Sequence, residues 1–259
     1  MPLSKNKTKL IRSLALKKNR DESGMFVAEG RKTVETLWGY FDCQLLAATQ
    51  CYLDSHGLAV SENICEASEE ELSKASSLKS SREAIAVFRK KPEQDESKLL
   101  EFAKKDICMV LDGIQDPGNL GTIVRIADWF GILQIACSED CADIYSPKAI
   151  QATMGAFSRV CVNYCNLEKL LSSVAGVPIY GTMLDGDDLY STELQQNGFV
   201  VMGSEGHGIS QKISELINLK LRIPSYPEGK ATSESLNVAM ATAIVCAELR
   251  RRAKQKHSL

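Results

Sequence analysis

Three separated segments of the sequence place glycine, proline or small polar residues directly after apolar runs. They are residues 111–125, 201–208 and 223–237. Their carboxamide, carboxylate, guanidinium and hydroxyl groups can hold a ligand and stabilise charge on it. In an open α/β sheet, ligands bind beyond the carboxyl ends of the strands. Three such segments in one chain therefore predict a shared site more strongly than any one of them alone.

The second segment reads Gly-Ser-Glu-Gly-His-Gly over residues 203–208. This order does not match the Gly-x-Gly-x-x-Gly dinucleotide motif, and no βαβ unit with a following ribose-binding acid fits it. The Gly-x-Ser-x-Gly nucleophile elbow is absent as well. Because glycine has no side chain, the backbone here can instead approach a flat ligand closely. We interpret His207 as a loop residue rather than a base.

The first segment predicts a helix that begins after Pro117-Gly118, with Asn119 as its N-cap. Arg125 lies off the apolar stripe of this helix and under two turns from its start, so its side chain can reach back over the site. The alternative is a surface arginine that pairs with Asp128. The stripe has the i, i+3, i+4, i+7 spacing of a buried helix face and consists of Ile123, Ile126, Ala127 and Phe130.

From residue 107 onward, short apolar strands alternate with helices and must position these segments. Near-continuous apolar strands separated by helices are typical of a mostly parallel sheet with helices on both faces. The predicted fold class is therefore α/β. The strands are predicted at residues 107–111, 133–136, 160–163, 178–181, 199–202 and 220–223.

The first 90 residues predict a small α/β unit of their own. Its helices are expected at residues 4–18 and 31–41 and from Ser68, where acidic residues in the first turn favour a helix start. Its strands are expected at residues 25–28, 45–48 and 84–88. The polar, proline-bearing stretch from Arg89 to Ser97 is typical of a linker. The predicted division is a domain at 1–90, a linker at 91–105 and a domain at 106–259.

The overall charge excludes a generally basic nucleic-acid-coating protein, because the formal net charge is −2. A hydrophobic fraction of 44% in 259 residues suffices for a sizeable core. The charge is nevertheless uneven, since no acidic residue precedes Asp21. The basic patch is either a phosphate-binding footprint or a solvated helix face, and it consists of Lys5, Lys7, Lys9, Arg12, Lys17, Lys18 and Arg20.

The nine cysteines are expected to be reduced thiols, because they lie mostly in apolar runs and form no Cys-x-x-Cys pair. Cys137/Cys141 and Cys161/Cys165 share one spacing, but neither pair has a neighbouring histidine, so we expect no metal. No apolar run is long enough to cross a bilayer. The charged N-terminus lacks the apolar core of a signal peptide. We therefore expect a cytoplasmic protein without a membrane partner.

The three segments resemble the signature motifs of the SpoU (TrmH-like) RNA ribose 2′-O-methyltransferases, within the SPOUT superfamily. The resemblance runs in order from about residue 107 to residue 252. It rests on the pattern Asn-x-Gly-x-x-x-Arg at residues 119–125, on the glycine-rich residues 203–208, and on Ile223-Pro224 followed by residues 235–237. It implies an enzyme that uses S-adenosylmethionine (SAM), bound in a C-terminal trefoil knot. Knots are rare exceptions to the usual connection rules, and no residue pattern predicts this one.

By this resemblance, the catalytic centre contains Asn119, Arg125, Glu205, Ser235 and Asn237. The implied SAM contacts come from the backbone of Gly203, Ile223 and Leu236, with Met202 and Gly208 beside them. From the residues alone, Ser235 is instead the N-cap of the final helix. Residues 225–234 form a longer loop than a compact family member requires.

Methyl transfer to a ribose requires that the methyl donor and the acceptor oxygen are held in line. A 2′-hydroxyl is a poor nucleophile until its proton is removed or its charge is stabilised. The resemblance assigns this activation to Arg125, with help from an RNA phosphate. Because arginine keeps its proton, we interpret Arg125 as a group that orients the phosphate and stabilises the forming alkoxide.

The last helix is predicted to be apolar nearly all round, which indicates burial on most sides. One side can face its own sheet and the other a second subunit, as in the family's homodimers; the alternative is a helix enclosed within one chain. The N-terminal region resembles the family's L30e-like substrate-binding domain, which reads folded RNA through shape and phosphates; alternatively it serves structure or dimer contacts. The expected RNA-binding residues are Lys17, Lys18, Arg20 and Arg31.

Together these expectations describe SAM-dependent 2′-O-methylation of structured RNA, with ribosomal RNA preferred over tRNA by analogy with the family. A rival function is a non-catalytic RNA-binding or ribosome-assembly protein with a relic SAM pocket. The intact Asn119, Arg125, Glu205 and Asn237 argue against such decay. A third interpretation, a nucleotide-dependent oxidoreductase, would require NAD(P) to bind instead.

Overall fold

The computed structural model describes residues 3–78, 83–92, 95–227, 233 and 235–256, without the side chains of 254–256. The chain forms two compact units: unit 1 contains Met1–Pro92 and Asp143–Ser158, and unit 2 contains Glu93–Ala142 and Arg159–Leu259. In chain order, the helices and strands are α1 (Lys5–Ser13), α2 (Lys17–Ser23), β1 (Met25–Glu29), α3 (Arg31–Leu37), β2 (Cys43–Ala48), α4 (Gln50–Ser55), β3 (Ile64–Glu66), α5 (Glu69–Ala75), β4 (Ala84–Arg89), α6 (Glu96–Ala103), β5 (Ile107–Asp112), α7 (Pro117–Trp129), β6 (Gln134–Cys137), α8 (Pro147–Thr153), β7 (Cys161–Tyr164), α9 (Leu167–Ser172), β8 (Ile179–Asp188), β9 (Gly198–Gly203), α10 (Gln211–Ser214), β10 (Leu219–Arg222) and α11 (Val238–Lys256).

Unit 1 is built on a four-stranded sheet in the order β1-β4-β2-β3. β4 is antiparallel to both of its neighbours, and β3 pairs with β2 in parallel. The three strands predicted here are observed as β1, β2 and β4. Ser68 and Glu71 form a capping box at the start of α5, where the acidic first turn predicts a helix. The sequence analysis missed β3, because three residues are too few for an apolar pattern to stand out.

The single helix predicted over residues 4–18 is in fact two helices, α1 and α2. Arg20 donates to the carbonyls of Leu14 and Ala15, both at 2.8 Å. Asn19 Nδ2 donates to the carbonyl of Ser13 at 2.7 Å. Carbonyls at a helix end lack internal partners and need others. Two side chains of α2 supply them, so the break between α1 and α2 is stabilised.

Residues 143–158, which the predicted division places in the second domain, belong to unit 1. α8 packs against β1. The rings of Tyr145 and Phe157 lie 4.9 and 5.8 Å from the ring of Phe26, centroid to centroid. Asp143 forms an ion pair with Arg20 at 2.7 Å, and little of either side chain is exposed. Apolar burial and this shielded pair, rather than chain order, hold the segment in unit 1.

Unit 2 contains a six-stranded parallel sheet in the order β10-β8-β9-β5-β6-β7. All six predicted strands form, and β8 continues to Asp188, beyond its predicted end at 181. The strand order reverses beside β5, whose last residue, Asp112, pairs with Gly203 at the end of β9. Ligands of open parallel sheets bind at this kind of switch point.

Helices of unit 2 occupy the predicted linker and pack against the interior of the sheet. α6 lies within residues 91–105, with Leu99 and Ala103 buried in the core of unit 2. The polar composition from Arg89 to Ser97 therefore does not extend to the end of the predicted linker. α7 and α11 pack against each other, and α11 also contacts β9. This packing brings the three polar segments to one region.

Candidate active site

A hydrogen-bonded cluster of Asn119, Glu205 and Asn237 lies at the switch point. Asn119 Nδ2 donates to Glu205 Oε1 at 3.0 Å. Asn237 Nδ2 donates to Asn119 Oδ1 at 3.1 Å and also, at short range, to Glu205 Oε1. Each residue comes from a different one of the three segments. The structure therefore brings together three of the five residues expected in the catalytic centre.

The N-terminus of α11 holds the carboxylate of Glu205. The backbone N–H of Val238 donates to Glu205 Oε1 at 3.2 Å. Asn237 is the cap of this helix, because its Oδ1 accepts from the backbone N–H groups of Ala239 at 3.0 Å and Met240 at 3.3 Å. The prediction that Ser235 caps the helix is therefore wrong. A helix N-terminus favours negative charge, which stabilises Glu205 in this position.

The N-cap of α7 is Asp116, and the prediction of Asn119 in that role is wrong. Asp116 Oδ1 accepts from the backbone N–H of Asn119 at 2.9 Å, and Pro117 occupies the first helical turn. The sequence contains the signal for this cap, because aspartate directly before proline is a common helix start. With its backbone capped by Asp116, the Asn119 side chain is left to bind Glu205.

The loop after β9 closes on itself through a short antiparallel bridge. Ser204 and Gly208 exchange two backbone hydrogen bonds, of 3.0 and 2.9 Å. A Cβ atom on Gly203 would lie 2.2 Å from the carbonyl carbon of Gly208, so only glycine fits there. Asp112 Oδ2 accepts from the backbone N–H of Ser210 at 2.7 Å and ties this loop to the end of β5.

A buried thiol that the sequence analysis considered only as a metal ligand braces the turn before α7. Cys141 Sγ accepts from the backbone N–H of Ile114 at 3.2 Å and donates to the carbonyl of Leu111 at 3.3 Å. A hydrogen bond from Cys137 lowers the pKa of Cys141 to about 7, and the same bond raises the pKa of Cys137 well above its usual value. The shared spacing of Cys137 and Cys141 was the available signal.

Arg125 is exposed on α7, next to the buried Val124. Its guanidinium has no ion-pair or hydrogen-bond partner among the residues that the structure describes. The alternative pairing with Asp128 is wrong, because Asp128 binds Arg159 through two hydrogen bonds of 2.8 and 2.7 Å. Arg125 is therefore a cation that the described part of the chain leaves open to an external anion.

The other expected site residues differ in exposure. Ser235 and Leu236 are exposed directly before α11, Ile223 is half-buried directly after β10, and Met202 is buried in β9. No hydrogen bond within the described ranges joins Ser235 or Arg125 to the Glu205 cluster. Their place in one site stays a prediction.

The four predicted RNA-binding residues lie in unit 1 and differ in how exposed their side chains are. Lys17 is exposed, and Lys18 is exposed with Glu22 at 3.8 Å. Arg20 is buried and committed to Asp143 and two backbone carbonyls. Arg31 is half-exposed and paired with Glu35 at 2.9 Å. The structure gives Arg20 a packing role, and we do not retain it among the proposed RNA contacts.

In the described ranges, no helix is both long enough and apolar enough to cross a membrane. Likewise, the side chains that the structure describes contain no group of three or more His, Cys, Asp or Glu residues placed to hold a metal ion.

A parallel sheet with a polar cluster at its switch point is typical of the α/β proteins that bind ligands at the strand ends. The chain belongs to the SpoU rRNA Methylase family, whose sequence model matches residues 106–247. A second sequence model, that of the MRM3-like substrate binding domain, matches residues 5–86.

Similar proteins with known names or structures support this assignment. The chain is 34% identical over 145 residues to the 23S rRNA (guanosine(2553)-2′-O)-methyltransferase RlmP of Bacillus subtilis, a match that covers 55% of the chain and 57% of that protein. It is 31% identical to the 23S rRNA (guanosine-2′-O-)-methyltransferase RlmB of Neisseria meningitidis, over 60% of the chain and 62% of that protein. The chain thus spans less than two thirds of the length of these curated relatives.

Two solved structures resemble nearly the whole chain. A Porphyromonas gingivalis protein of the TrmH family of RNA methyltransferases is 36% identical, with a TM-score of 0.86 over 97% of this chain and 100% of that one. An AdoMet-bound rRNA methyltransferase from Sinorhizobium meliloti is 26% identical, with a TM-score of 0.81 over 97% of both chains. Both units of the present fold are therefore represented in this family.

Proposed function

We propose that the protein is a SAM-dependent methyltransferase that modifies ribose 2′-hydroxyls in structured RNA. The observation that supports this most is the bonding of Asn119, Glu205 and Asn237 in one cluster at the switch point. These residues come from the three segments that match the family motifs. A decayed, non-catalytic pocket would have no need to keep this polar cluster hydrogen-bonded.

The residues around the cluster suit SAM. The Glu205 carboxylate is exposed and complements the positive charge of a sulfonium. Nothing lies within 4 Å of a Cβ placed on Gly206 or Gly208, so a ligand can approach their backbone closely. Leu236, 47% exposed, offers apolar contact. When bound, SAM supplies the methyl group, and the residues proposed to hold it are Gly203, Ile223 and Leu236, with Met202 and Gly208 beside them.

The chain's own residues position the acceptor and stabilise its charge. Arg125 is proposed to bind the RNA phosphate and to stabilise the negative charge that develops on the 2′-oxygen. Asn119 and Asn237 hold Glu205 in a fixed position. The Glu205 carboxylate therefore does not have to reorganise during the reaction. Ser235 is exposed close to Asn237 in sequence and is proposed to contact the substrate.

Arg125→Ala should lower methyl transfer by at least about 100-fold, the usual effect of removing one such stabilising group. SAM binding should persist, because Arg125 is not among the residues proposed to hold it. Transfer is measured with isotope-labelled SAM on rRNA from cells that lack the gene, and SAM binding by calorimetry. Lys212→Ala removes another exposed cation of unit 2 and should retain activity. Full activity of Arg125→Ala would refute the role of Arg125, and a wild-type protein that does not bind SAM would refute the proposed function.

Ribosomal RNA is the proposed substrate, and the N-terminal unit is proposed to bind it. The match to a substrate-binding domain at residues 5–86 and the two relatives named for 23S rRNA support this choice. Lys17, Lys18 and Arg31 are the proposed phosphate contacts. Mapping of 2′-O-methyl marks in RNA from cells with and without the gene tests the proposal: loss of a tRNA mark alone would contradict it.

A homodimer in the cytoplasm is the proposed working form. Trp129 at the end of α7 is 84% exposed, and Met240 near the start of α11 is 63% exposed. Large apolar side chains at such exposure indicate an interaction surface. On α11, Val245, Cys246 and Leu249 are buried whereas Met240 is exposed, so this helix is covered on one side only. The trefoil knot stays a prediction from the family resemblance.

A further inference from the structure

A cleft in unit 1 lies outside the Glu205 cluster. Its volume is ≈ 500 Å³, and its lining combines three aromatic rings with one carboxylate and one aliphatic side chain: Glu35, Trp38, Tyr52, His56 and Leu58. We call this set the aromatic cleft. Clefts of this size are typical of small-ligand sites, and this one has no part in the catalytic proposal above.

One wall of the aromatic cleft is fixed by ring stacking and hydrogen bonds. Tyr52 and His56 stack at 4.2 Å between ring centroids, with an angle of 21° between their planes. His56 Nδ1 lies 2.8 Å from the carbonyl of Tyr52, and His56 Nε2 lies 2.9 Å from Glu35 Oε1. The guanidinium of Arg31 lies over the Tyr52 ring, 5.6 Å from its centroid. This wall is therefore built before any ligand arrives.

The carboxylate of Glu35 is held by one oxygen and open at the other. Glu35 Oε1 accepts from Arg31 Nε at 2.9 Å and contacts His56. Glu35 Oε2 has no partner among the described residues, and 37% of the side chain is exposed. Trp38 is 40% exposed, and its indole N–H is unpaired within the same residues. A pre-positioned anionic acceptor thus lies beside an open aromatic face.

We propose that the aromatic cleft binds one unstacked guanine base of the RNA substrate, an inference that rests on the proposed function. Aromatic side chains recognise single-stranded RNA by stacking on splayed-out bases and by hydrogen bonding to their Watson–Crick edges. Guanine alone presents two adjacent donors there, N1–H and N2–H, which can share the one open oxygen of the Glu35 carboxylate. Adenine and cytosine place a ring acceptor beside their amino group, and uracil flanks its N–H with two carbonyls. The base stacks on Trp38, and its two donors point to the open Oε2 atom of Glu35.

The position of Lys32 agrees with a nucleic-acid occupant. Lys32 is exposed, has no ion-pair partner in the described part of the chain, and precedes Glu35 by one helical turn of α3. Residues so spaced share a helix face. Lys32 lies on the helix face that carries Glu35, and its charge can bind the phosphate of the bound nucleotide. If the aromatic cleft bound a second copy of this chain instead, the combination of an open carboxylate and a cation would not be needed.

The test uses the full-length protein and fluorescein-labelled nine-nucleotide RNAs: oligo(U), and oligo(U) with one central guanosine, inosine or adenosine. Fluorescence anisotropy should show about 10-fold tighter binding with guanosine than with adenosine, the size of a hydrogen bond to a charged acceptor. Inosine lacks the N2 amino group and should bind with intermediate affinity. Glu35→Gln should reduce the guanosine preference to about 3-fold or less, because a neutral acceptor binds more weakly.

Trp38→Ala should weaken binding of the guanosine RNA about 10-fold through lost stacking, whereas Trp38→Phe should restore most of it. Tyr40→Ala changes an exposed neighbour outside the lining and should leave binding unchanged. Equal affinity of the wild type for all four RNAs, or unchanged binding by folded Trp38→Ala, would overturn the inference. Far-UV circular dichroism and thermal unfolding of each variant, compared with the wild type, show whether it is folded.

The two proposals fail in distinguishable ways. A wild-type protein that prefers guanosine but transfers no methyl group would remove the proposed function and leave the guanine site. Normal transfer to rRNA without any base preference would remove the guanine site alone.

Discussion

Glu205 accepts hydrogen bonds from Asn119, Asn237 and the backbone of Val238, so a single carboxylate joins three parts of the chain. A carboxylate with this many donors is fixed in place. The effect of the Glu205 carboxylate on the reaction therefore depends on the backbone of all three parts, and no single side chain of the site determines it. Gly203 ends β9 and directly precedes the loop that carries Glu205. In this part of the chain it is the position that least tolerates an added side chain.

Gly203→Ala should destabilise the protein by about 1–3 kcal/mol, the usual effect of forcing extra atoms into a packed position. The added Cβ would meet the backbone of Gly208 and Ile209, which cannot move aside as a flexible side chain would. Gly206→Ala, in the same loop, adds a Cβ with nothing within 4 Å and is the matched control. Urea unfolding measures both; equal stabilities of the two variants would contradict the close approach at Gly203.

The residue types of the site could be predicted, but their bonding partners could not. The family pattern indicated Asn119, Glu205 and Asn237, and the structure joins them. It did not indicate that Asp116 caps α7 or that Asn237 caps α11, because helix ends are set by local competition among neighbouring polar side chains. Arg20 illustrates the same difficulty. Its lysine-rich neighbourhood suggested an RNA contact, whereas in the structure it is buried in an ion pair with Asp143, which is distant in sequence.

At the scale of elements, the two ends of α11 have different tasks. Its first turn holds Glu205, and its last turns hold the chain after β8. Arg252 donates to the carbonyls of Leu189 at 2.7 Å and Tyr190 at 2.8 Å. Glu248 is buried and binds Arg251 and Arg252 at 2.7 and 2.5 Å. This arrangement fastens one helix to a turn far from it in sequence.

Glu248 should make stability depend on pH in acid. Hydrogen bonds from Arg251 lower the pKa of Glu248 to about 2, from an ordinary value of 4.5. A depressed folded pKa stabilises the folded state fully above about pH 4.5, and this stabilisation is lost as the pH falls toward 2. We expect a contribution of about 2 kcal/mol, less than the full shift implies, since Arg251 is half exposed.

Urea unfolding of wild type and Glu248→Gln between pH 3 and pH 7 tests this expectation. The difference between the two proteins should be largest at pH 7 and should shrink below pH 4.5. Glu193→Gln changes an exposed carboxylate of the same unit and should follow the wild type. A difference that does not vary with pH would contradict the role of the Glu248 carboxylate.

Strands were more predictable than helix ends. The central strands β5 and β9 are short apolar runs buried nearly throughout, and such runs stand out against polar surroundings. The break between α1 and α2 was not predictable, because Arg20 stabilises it through carbonyls that no periodicity reveals. α6 was taken for linker, since its polar start masks the buried Leu99 and Ala103.

At the scale of the whole molecule, the proposed homodimer depends on apolar surface at α7 and α11. Trp129→Lys should shift the protein from dimer to monomer, because a charge on a desolvated contact is costly. Sedimentation velocity should give twice the mass of one chain for the wild type and a single-chain mass for the variant. Leu16→Lys, at an exposed leucine of unit 1, should remain dimeric. A monomeric wild type would contradict the proposal.

Unit 1 is made from two stretches of sequence, Met1–Pro92 and Asp143–Ser158. As the chain leaves the ribosome, the rings of Tyr145 and Phe157 and the counter-ion of Arg20 arrive after about 50 residues that belong elsewhere. At roughly 5–20 residues per second, the nascent residues 1–92 wait several seconds without the two rings that complete the cover of Phe26. During that interval the unfinished unit offers apolar surface to a chaperone, and stop codons placed before residue 143 should yield fragments that aggregate.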